Sequence, residues 1–300
     1  MWMDLIIQGY LEYICGKDNV LCDYPLSRAT SFRIGGNAKF FVRATSKDVF
    51  IKAISALSFS EIPYFILGGG SNILARDEGF DGVVIKPCFT EIVQNDGFLY
   101  VDAGCLLPAV CKFAQENGLS GMDFAIGIPG TIGGAIYMNA GAYGGEMKDI
   151  CAIVDIWNGE EIISLNSIEL EFGYRKSIFQ EKKNWSILGA YLHLTKAEPA
   201  EIKQKQLEFL KRRISSQPKE PSAGSIFRKP SDNFYVGKAV EELGLKGKSI
   251  GGAQISDIHA GFIVNKGGAT CSDVLALVEL IKKAVYDKHG IMLEEEITLL

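Results

Sequence analysis

The chain has 300 residues, of which 47% are hydrophobic and 22% are charged, and its formal net charge is −5. This much apolar material is enough for a real core and argues against disorder. The net negative charge means that the protein surface has no overall positive potential to attract nucleic acid. We therefore expect any anionic ligand to be held by local groups. Seven scattered cysteines without a C-x-x-C pair are typical of free thiols in a reducing compartment, which predicts a cytoplasmic protein without a metal site.

The first 90 residues predict a small βαβ unit. It is preceded by a docking helix in MWMDLIIQGYLEYIC, where Asp4 stands in place of the basic residues of a secretory signal. Ser46 can cap a helix whose apolar residues recur through 46–57. The run PYFILGGGSN, residues 63–72, then predicts a buried strand that ends in a glycine loop.

The next hundred residues predict a second, sheet-rich subdomain. LPAVCKFAQENGL reads as a helix with Pro108 near its start and Gly118 at its end. The apolar runs DICAIVDIW, residues 149–157, and WSILGAYLHLT, residues 185–195, predict strands.

The composition of the chain changes near Lys196, where a charged helix and proline-rich turns begin. A long helix is predicted over 272–289 and ends at Gly290, and IMLEEEITLL predicts a final strand. We therefore expect two domains, 1–198 with subdomains of about 1–90 and 91–198, and a smaller one over 199–300.

The stretch FAIGIPGTIGGAIYMNAGAYGG, residues 124–145, carries no charge and is as long as a membrane span, which needs about 20 apolar residues. However, it contains seven glycines, Pro129 and Asn139. Each glycine costs a helix about 1 kcal/mol relative to alanine, so a helix across the whole stretch would be unstable. The composition predicts no membrane insertion.

Two glycine-rich loops, 68–72 and 127–134, are candidate anion sites. Neither has the G-x-G-x-x-G spacing of a Rossmann fingerprint. Consecutive backbone N–H groups can nevertheless bind a pyrophosphate without lysine or arginine. Each loop alone is equally well explained as a tight turn, but two together favour a ligand.

Three further motifs are weak by themselves. Arg175 in FGYRKS could pair with a carboxylate or could be a surface arginine stacked on a tyrosine. Ser225 in PSAGSIFRKP lacks the G-x-S-x-G elbow of hydrolases and could simply cap a turn. In LEEE, an alternating strand would place Glu294 and Glu296 on one face and Glu295 on the other, which is also what a solvated edge shows.

Taken together, the motifs resemble the UDP-N-acetylenolpyruvoylglucosamine reductase family over nearly the whole chain. The matching segments are TSFRIGGNA (30–38), LGGGSNIL (67–74), GIPGTIGGAIYMNAGAYGGEM (127–147), FGYRKSIF (172–179), AGSIFRKP (223–230), GLKGKSIGGAQISDIHAGFIVN (244–265) and LEEEI (293–297).

The resemblance implies an α+β protein with an FAD-binding domain of the p-cresol methylhydroxylase type, made of two α/β subdomains, and a smaller C-terminal α+β substrate domain. It implies noncovalent FAD, held largely through backbone. The cofactor-binding residues that it implies are Arg33, Gly68, Gly69, Gly70, Ser71, Asn72, Pro129, Gly130, Thr131, Gly133 and Gly134.

The family chemistry implies that NADPH reduces FAD and that the flavin N5 hydride goes to C3 of UDP-N-acetylglucosamine enolpyruvate. Arg175 would hold the enolpyruvyl carboxylate, Ser225 would give a proton to C2, and Glu296 would orient the enol. Tyr174 and Lys229, with Arg175, would contact substrate. The resemblance also implies a cytoplasmic enzyme of peptidoglycan synthesis, which we expect to be a monomer.

This chain departs from the family pattern at two positions. Lys229 stands where the family often has asparagine, which predicts altered diphosphate binding, and Glu295 stands where proline is common, which leaves Glu294 open as an alternative to Glu296. The short segment after FGYRKS is like the family's compact second type, which lacks a substrate-capping loop. The competing interpretations are a flavin oxidase of the same fold and a catalytically silent nucleotide-binding protein.

Overall fold

The computed structural model describes residues 2–95 and 97–300. The α-helices in these ranges are α1 (Trp2–Cys15), α2 (Lys47–Phe59), α3 (Leu107–Glu116), α4 (Ile132–Tyr137), α5 (Pro199–Ser216), α6 (Val236–Glu242) and α7 (Cys271–His289). The strands are β1 (Val20–Pro25), β2 (Asn37–Ala44), β3 (Tyr64–Ile66), β4 (Ile73–Leu74), β5 (Phe80–Pro87), β6 (Ile92–Asn95), β7 (Phe98–Asp102), β8 (Leu119–Ser120), β9 (Gly141–Ala142), β10 (Gly145–Glu146), β11 (Cys151–Trp157), β12 (Ile162–Asn166), β13 (Ser186–His193), β14 (Thr195–Lys196), β15 (Ser249–Ile250), β16 (Ala253–Ile255), β17 (Ile263–Asn265) and β18 (Thr298–Leu299).

The chain packs into two compact units, and each is discontinuous in sequence. Unit 1 contains the residues up to Cys22, then Phe40–Gly69 and Gly82–Arg213. Unit 2 contains Asp23–Lys39, Gly70–Asp81 and Ile214–Leu300. The predicted functional boundary between 198 and 199 coincides with the start of α5 and stays a prediction.

The first part of unit 1 is a helix-and-sheet layer in which α2 connects two strands of a sheet ordered β1-β2-β5-β3. Ser46 caps α2 as predicted, because its hydroxyl accepts the N–H of Val49 at 3.2 Å. The buried side chains of α2 include Phe50 and Leu57. Strand β3 pairs in parallel with β5, but it is half-buried rather than fully buried as the apolar run suggested, because it lies at one edge of this sheet.

A five-stranded sheet ordered β12-β11-β13-β7-β6 dominates the rest of unit 1, and its neighbouring strands are antiparallel. The predicted strands in 149–157 and 185–195 are confirmed as β11 and β13. Helices α3 and α4 pack their buried side chains into the same apolar cluster as this sheet.

Within the uncharged stretch, the backbone forms short elements rather than one long helix. Helix α4 has six residues, and Thr131 caps it by accepting the N–H of Gly134 at 3.4 Å. In the part of the chain that the structure describes, no helix is both long enough and apolar enough to cross a bilayer.

Unit 2 is built around α7, which packs with the antiparallel sheet β15-β16-β17 in one apolar cluster. Asp77 accepts the backbone N–H groups of Cys271 and Ser272 at 2.6 and 3.0 Å, which caps the helix start. Gly290 ends the helix at a φ of 68°, as its position predicted. The predicted final strand is wrong in extent, because only β18 pairs regularly, with β4, and Glu295 forms a single bridge.

Candidate active site

The two predicted glycine loops touch in unit 1. A Cβ built on Gly69 would lie 2.9 Å from the Cα atom of Gly130, and one built on Gly68 would lie 2.6 Å from the Thr131 hydroxyl. Contacts this short leave no room for a side chain. The first loop therefore needs glycine where it meets the second.

Not every N–H group of the second loop is available to a ligand. Those of Ile132 and Gly133 already donate, each at 2.9 Å, to backbone carbonyls of the 103–105 turn. In the described ranges, no protein acceptor takes the N–H of Gly130 or Thr131. The same holds for the N–H groups of Gly68 and Gly69. A side-chain-free surface with unpaired donors fits an anionic pyrophosphate, as an FAD cofactor carries.

An ion pair with a buried carboxylate, that of Asp102, lies directly before the turn that anchors this loop. Lys47 contacts both the carboxylate of Asp102 and the hydroxyl of Tyr100 at 2.7 Å. Burial would lower the pKa of Lys47, but its hydrogen bonds to these two partners outweigh burial and raise it. Burial also raises the pKa of Tyr100 to about 12, so the tyrosine stays neutral while Lys47 stays charged. No local pattern in the sequence pointed to this cluster.

Arg175 lies in a tight turn of unit 1 that we call the arginine loop, residues 173–177. Gly173 and Lys176 exchange backbone hydrogen bonds of 3.0 and 3.2 Å across it. Arg175 itself has a φ of 54°, in the left-handed region that non-glycine residues rarely adopt. Its Nη2 donates to the carbonyl oxygen of Gly141 at 3.3 Å, and its guanidinium carbon lies 5.4 Å from the centre of the half-exposed Tyr174 ring.

The structure brings Ser225 and Glu296 together in unit 2. The backbone N–H of Glu296 donates to the carbonyl oxygen of Ile226 at 2.7 Å, and the N–H of Ile226 donates to Gly261 at 3.0 Å. Phe227 also pairs with Glu295. We call residues 225–228 and 294–296 the serine–glutamate ladder. Two predicted residues that are 71 positions apart thus lie on adjacent segments of one backbone ladder.

Glu295, which replaces the family's common proline, points to α7. Its carboxylate lies 2.7 Å from the Nζ atom of Lys282. Burial would raise the pKa of Glu295, but the hydrogen bond from Lys282 outweighs it and lowers the pKa. Since Glu295 is engaged with Lys282, the choice between Glu294 and Glu296 rests on burial. Glu294 is exposed whereas Glu296 is half-buried, which favours Glu296.

Of the other predicted cofactor residues, Pro129 and Gly134 lie in unit 1, whereas Arg33, Gly70, Ser71 and Asn72 lie in unit 2. Arg33 is exposed and has a φ of 55°, and the side-chain amide of Asn265 donates to its carbonyl oxygen at 3.3 Å. A Cβ on Gly70 would overlap the carbonyl oxygen of Ala29. Asn72 donates its side-chain amide to the carbonyl oxygen of Glu296 at 2.9 Å, a link that sequence reasoning missed.

One histidine of this unit, His259, supports the ladder without joining it. His259 accepts the N–H of Gly261 on its Nδ1 atom at 3.1 Å, and Gly261 is the partner of Ile226. Burial lowers the pKa of His259, so it is neutral at pH 7. Lys229 is exposed, and its Nζ atom lies 4.8 Å from the centre of the Tyr235 ring.

The thiols give no sign of nucleophilic chemistry. None of the seven cysteines, all of which lie in the described residues, forms a disulfide, and burial raises the pKa of Cys105 and Cys151 to about 12. Among the residues the structure describes, no group of three or more His, Cys, Asp or Glu side chains could hold a metal ion. The polar chemistry of the molecule thus lies in the glycine loops, the arginine loop and the serine–glutamate ladder.

Comparison with known families divides the chain into two matched parts. Residues 38–163 match the model of an FAD binding domain, and residues 217–300 match the model of the UDP-N-acetylenolpyruvoylglucosamine reductase C-terminal domain. Arg175 lies between these parts, and Ser225 and Glu296 lie in the second.

Curated relatives match over nearly the full length. The chain is 48% identical over 278 residues to UDP-N-acetylenolpyruvoylglucosamine reductase from Pseudothermotoga lettingae, covering 92% of this chain and 96% of the relative. It is 43% identical over 291 residues to the enzyme of the same name from Clostridioides difficile, covering 96% and 95%. The crystal structure of UDP-N-acetylenolpyruvylglucosamine reductase from Thermus caldophilus is similar with a TM-score of 0.79 and 33% identity, over 93% of this chain and 97% of that one.

Proposed function

The chain belongs to the family of UDP-N-acetylenolpyruvoylglucosamine reductases, which are FAD-dependent oxidoreductases, and from that premise we propose its reaction in detail. The enzyme uses NADPH to convert UDP-N-acetylglucosamine enolpyruvate to UDP-N-acetylmuramate, a peptidoglycan precursor. The observation that carries this proposal is the serine–glutamate ladder, because its backbone bonds join the segment that contains Ser225 to the segment that contains Glu296 within the matched C-terminal domain.

The cofactor is held by backbone. When bound, FAD would supply the hydride-transfer chemistry that connects NADPH with C3 of the enolpyruvyl ether. The unpaired N–H groups of Gly68, Gly69, Gly130 and Thr131 would bind its pyrophosphate. The early loop contains no histidine that could tether the flavin covalently, which supports noncovalent binding.

The role of Arg175 follows from its charge and shape. Addition of hydride at C3 leaves negative charge at C2 and on the adjoining carboxylate. A planar guanidinium can pair with a carboxylate in two parallel hydrogen bonds and remains charged at every relevant pH. Arg175 would therefore bind the substrate carboxylate and stabilise the charge that develops on it.

Ser225 would complete the reaction by giving its hydroxyl proton to C2. A serine hydroxyl is a weak acid, but the species that it protonates is carbanion-like and strongly basic, so the transfer is downhill. Glu296 would orient the enol form of the substrate. Tyr174 and the exposed ammonium of Lys229 would contact substrate, with Lys229 supplying a charge where the family often has an amide.

The proposal extends to the state of the protein in the cell. We infer a cytoplasmic monomer that acts on a soluble nucleotide-sugar substrate. Seven cysteines without a disulfide are consistent with a reducing compartment.

Anaerobic flavin reoxidation tests the reaction directly. The purified holoenzyme should be yellow, bleach with NADPH, and regain its colour with enolpyruvyl-UDP-N-acetylglucosamine in the absence of oxygen. If molecular oxygen were the only effective acceptor, a flavin oxidase would be the better assignment. If NADPH did not bleach the flavin, the proposed reductant would be wrong.

Replacement of Ser225 by alanine separates the two half-reactions. Ser225→Ala should leave bleaching by NADPH nearly intact and slow reoxidation by the enolpyruvyl substrate about 10²–10⁴-fold, the usual contribution of a general acid. Stopped-flow absorbance of the flavin measures both steps. An unchanged reoxidation rate would show that another group donates the proton.

A further inference from the structure

The arginine loop is held to the end of α4 by side chains that no motif assigns to the reaction. The buried Asn139 donates its amide to the carbonyl oxygen of Gly173 at 2.9 Å. The half-buried Gln180 donates its amide to the carbonyl oxygen of Arg175, also at 2.9 Å. Both carbonyls belong to the turn that presents the guanidinium, so these two amides define where that turn lies.

Gln180 makes a second bond at the same time. Its Nε2 atom lies 3.2 Å from the carbonyl oxygen of Tyr137, the last residue of α4. A carbonyl at a helix C-terminus has no partner within the helix and needs one from outside. The hydroxyl of Ser177 also donates to this carbonyl, at 2.7 Å. Only Gln180, among these donors, connects the helix end directly to the backbone of Arg175.

The hydrogen bond from Gln180 is made to the backbone of Arg175, a residue in an unfavourable conformation. A left-handed φ of 54° is unfavourable for an arginine and persists only when its surroundings fix it. The amide of Gln180 fixes the carbonyl on the C-terminal side of this residue, and the guanidinium contact to Gly141 fixes its far end. Loss of the amide would let the turn relax while leaving the rest of unit 1 intact.

We propose that Gln180 is a positioning residue for Arg175, which sets the guanidinium to receive the carboxylate of the substrate. This inference rests on the proposed function, in which Arg175 binds that carboxylate. It assigns to Gln180 no contact with substrate or cofactor. Its effect is confined to ligands that carry the carboxylate, since the rest of the nucleotide sugar does not depend on Arg175.

Two ligands distinguish this role from a general structural one. UDP-N-acetylmuramate carries the carboxylate and UDP-N-acetylglucosamine lacks it. Isothermal titration calorimetry on the oxidised holoenzyme gives both dissociation constants, and their ratio measures carboxylate recognition. Gln180→Met keeps the length of the side chain but removes both donated hydrogen bonds. We expect the ratio to fall about tenfold in this variant, because a small misplacement of a binding group is costly.

Ser177→Ala is the matched control, because it removes a bond to the same Tyr137 carbonyl and leaves the Gln180–Arg175 bond in place. The ratio should stay within about twofold of the wild-type value. In stopped-flow measurements, Gln180→Met should also slow reoxidation by the enolpyruvyl substrate about tenfold while the rate of bleaching by NADPH is unchanged.

The results that would contradict the positioning role can be distinguished from those that would contradict the role of Arg175. An unchanged ratio in Gln180→Met, equal weakening of both ligands, or an equal fall in Ser177→Ala would overturn the positioning role while leaving the proposed reaction standing. A wild-type enzyme with no preference for the carboxylate ligand would overturn the role of Arg175 and this inference with it.

Discussion

The arginine loop of unit 1 and the serine–glutamate ladder of unit 2 carry the proposed charge and proton chemistry, but different bonds hold them. Two side-chain donors, the amides of Asn139 and Gln180, tie the arginine loop to its surroundings, in addition to the backbone bonds within the turn. Backbone N–H groups that donate to backbone carbonyls join the two segments of the ladder, as between Glu296 and Ile226, and the amide of Asn72 adds one side-chain bond to Glu296.

The difference determines how each region tolerates substitution. A backbone hydrogen bond is made by any residue except proline, so the ladder can keep its register when neighbouring side chains change. A side-chain bond is lost when the residue type changes. We therefore expect the position of Arg175 to depend on a few particular side chains, and the positions of Ser225 and Glu296 to depend mainly on the path of the chain.

Asn139→Ala should give the largest loss of stability. The residue is fully buried, bonds to Gly173, Glu146 and Lys148, and has a φ of 41° that asparagine tolerates better than alanine. Leaving buried groups unpaired costs about 1–3 kcal/mol each, so we expect a loss of about 3 kcal/mol in the free energy of unfolding. Urea denaturation of FAD-saturated protein measures it.

Asn184→Ala is the control for this prediction, since Asn184 is exposed and makes one bond, to the carbonyl oxygen of Asn158. It should change the free energy of unfolding by less than about 0.5 kcal/mol. Equal effects of the two substitutions would show that the buried network around the arginine loop adds nothing to stability.

Arg228→Pro tests whether backbone hydrogen bonds, and not side chains, hold the ladder. The N–H of Arg228 donates to the carbonyl oxygen of Glu294 at 3.0 Å, and proline removes this donor. We expect a loss of about 2 kcal/mol in the free energy of unfolding together with slower reoxidation by substrate, whereas Arg228→Ala, which keeps the N–H, should stay close to wild type. If alanine were as damaging as proline, the side chain and not the backbone would hold this ladder.

Sequence reasoning was strongest where the signal is local. The cap at Ser46 and the stop at Gly290 depend on residues within one helical turn, and both are confirmed. The glycine loops were also recognisable, because several glycines together leave a backbone that ligands and neighbouring chain can approach. The contact between Gly69 and Gly130 could not be predicted from the sequence, because 61 positions separate these residues.

The side chains that hold the arginine loop were also missed because their partners are distant in sequence. Asn139 stood out as a polar residue in an uncharged stretch, but its partner Gly173 lies 34 positions away and contributes only a carbonyl oxygen. A backbone acceptor has no sequence signature. The last strand was overestimated because alternation in LEEEI does not reveal that Glu295 forms an isolated bridge rather than part of a continuous strand.

The smallest expected effect is that of Glu295→Gln, which removes the charge from the ion pair with Lys282. Both side chains are about one-third exposed, so the pair should contribute no more than about 1 kcal/mol to the free energy of unfolding. The pKa of Glu295 is lower in the folded state than its ordinary value. Its contribution is therefore full above the unfolded pKa of about 4.3 and is lost as pH falls through the lower folded value.

The difference in unfolding free energy between wild type and Glu295→Gln should accordingly be present at pH 7, shrink in high salt, and shrink as pH falls below about 4.3. Because backbone bonds hold Glu296, the rate of flavin reoxidation by substrate at pH 7 should change by less than about twofold. A tenfold slower rate would mean that the Lys282 pair positions Glu296, and that side chains govern the ladder as they govern the arginine loop.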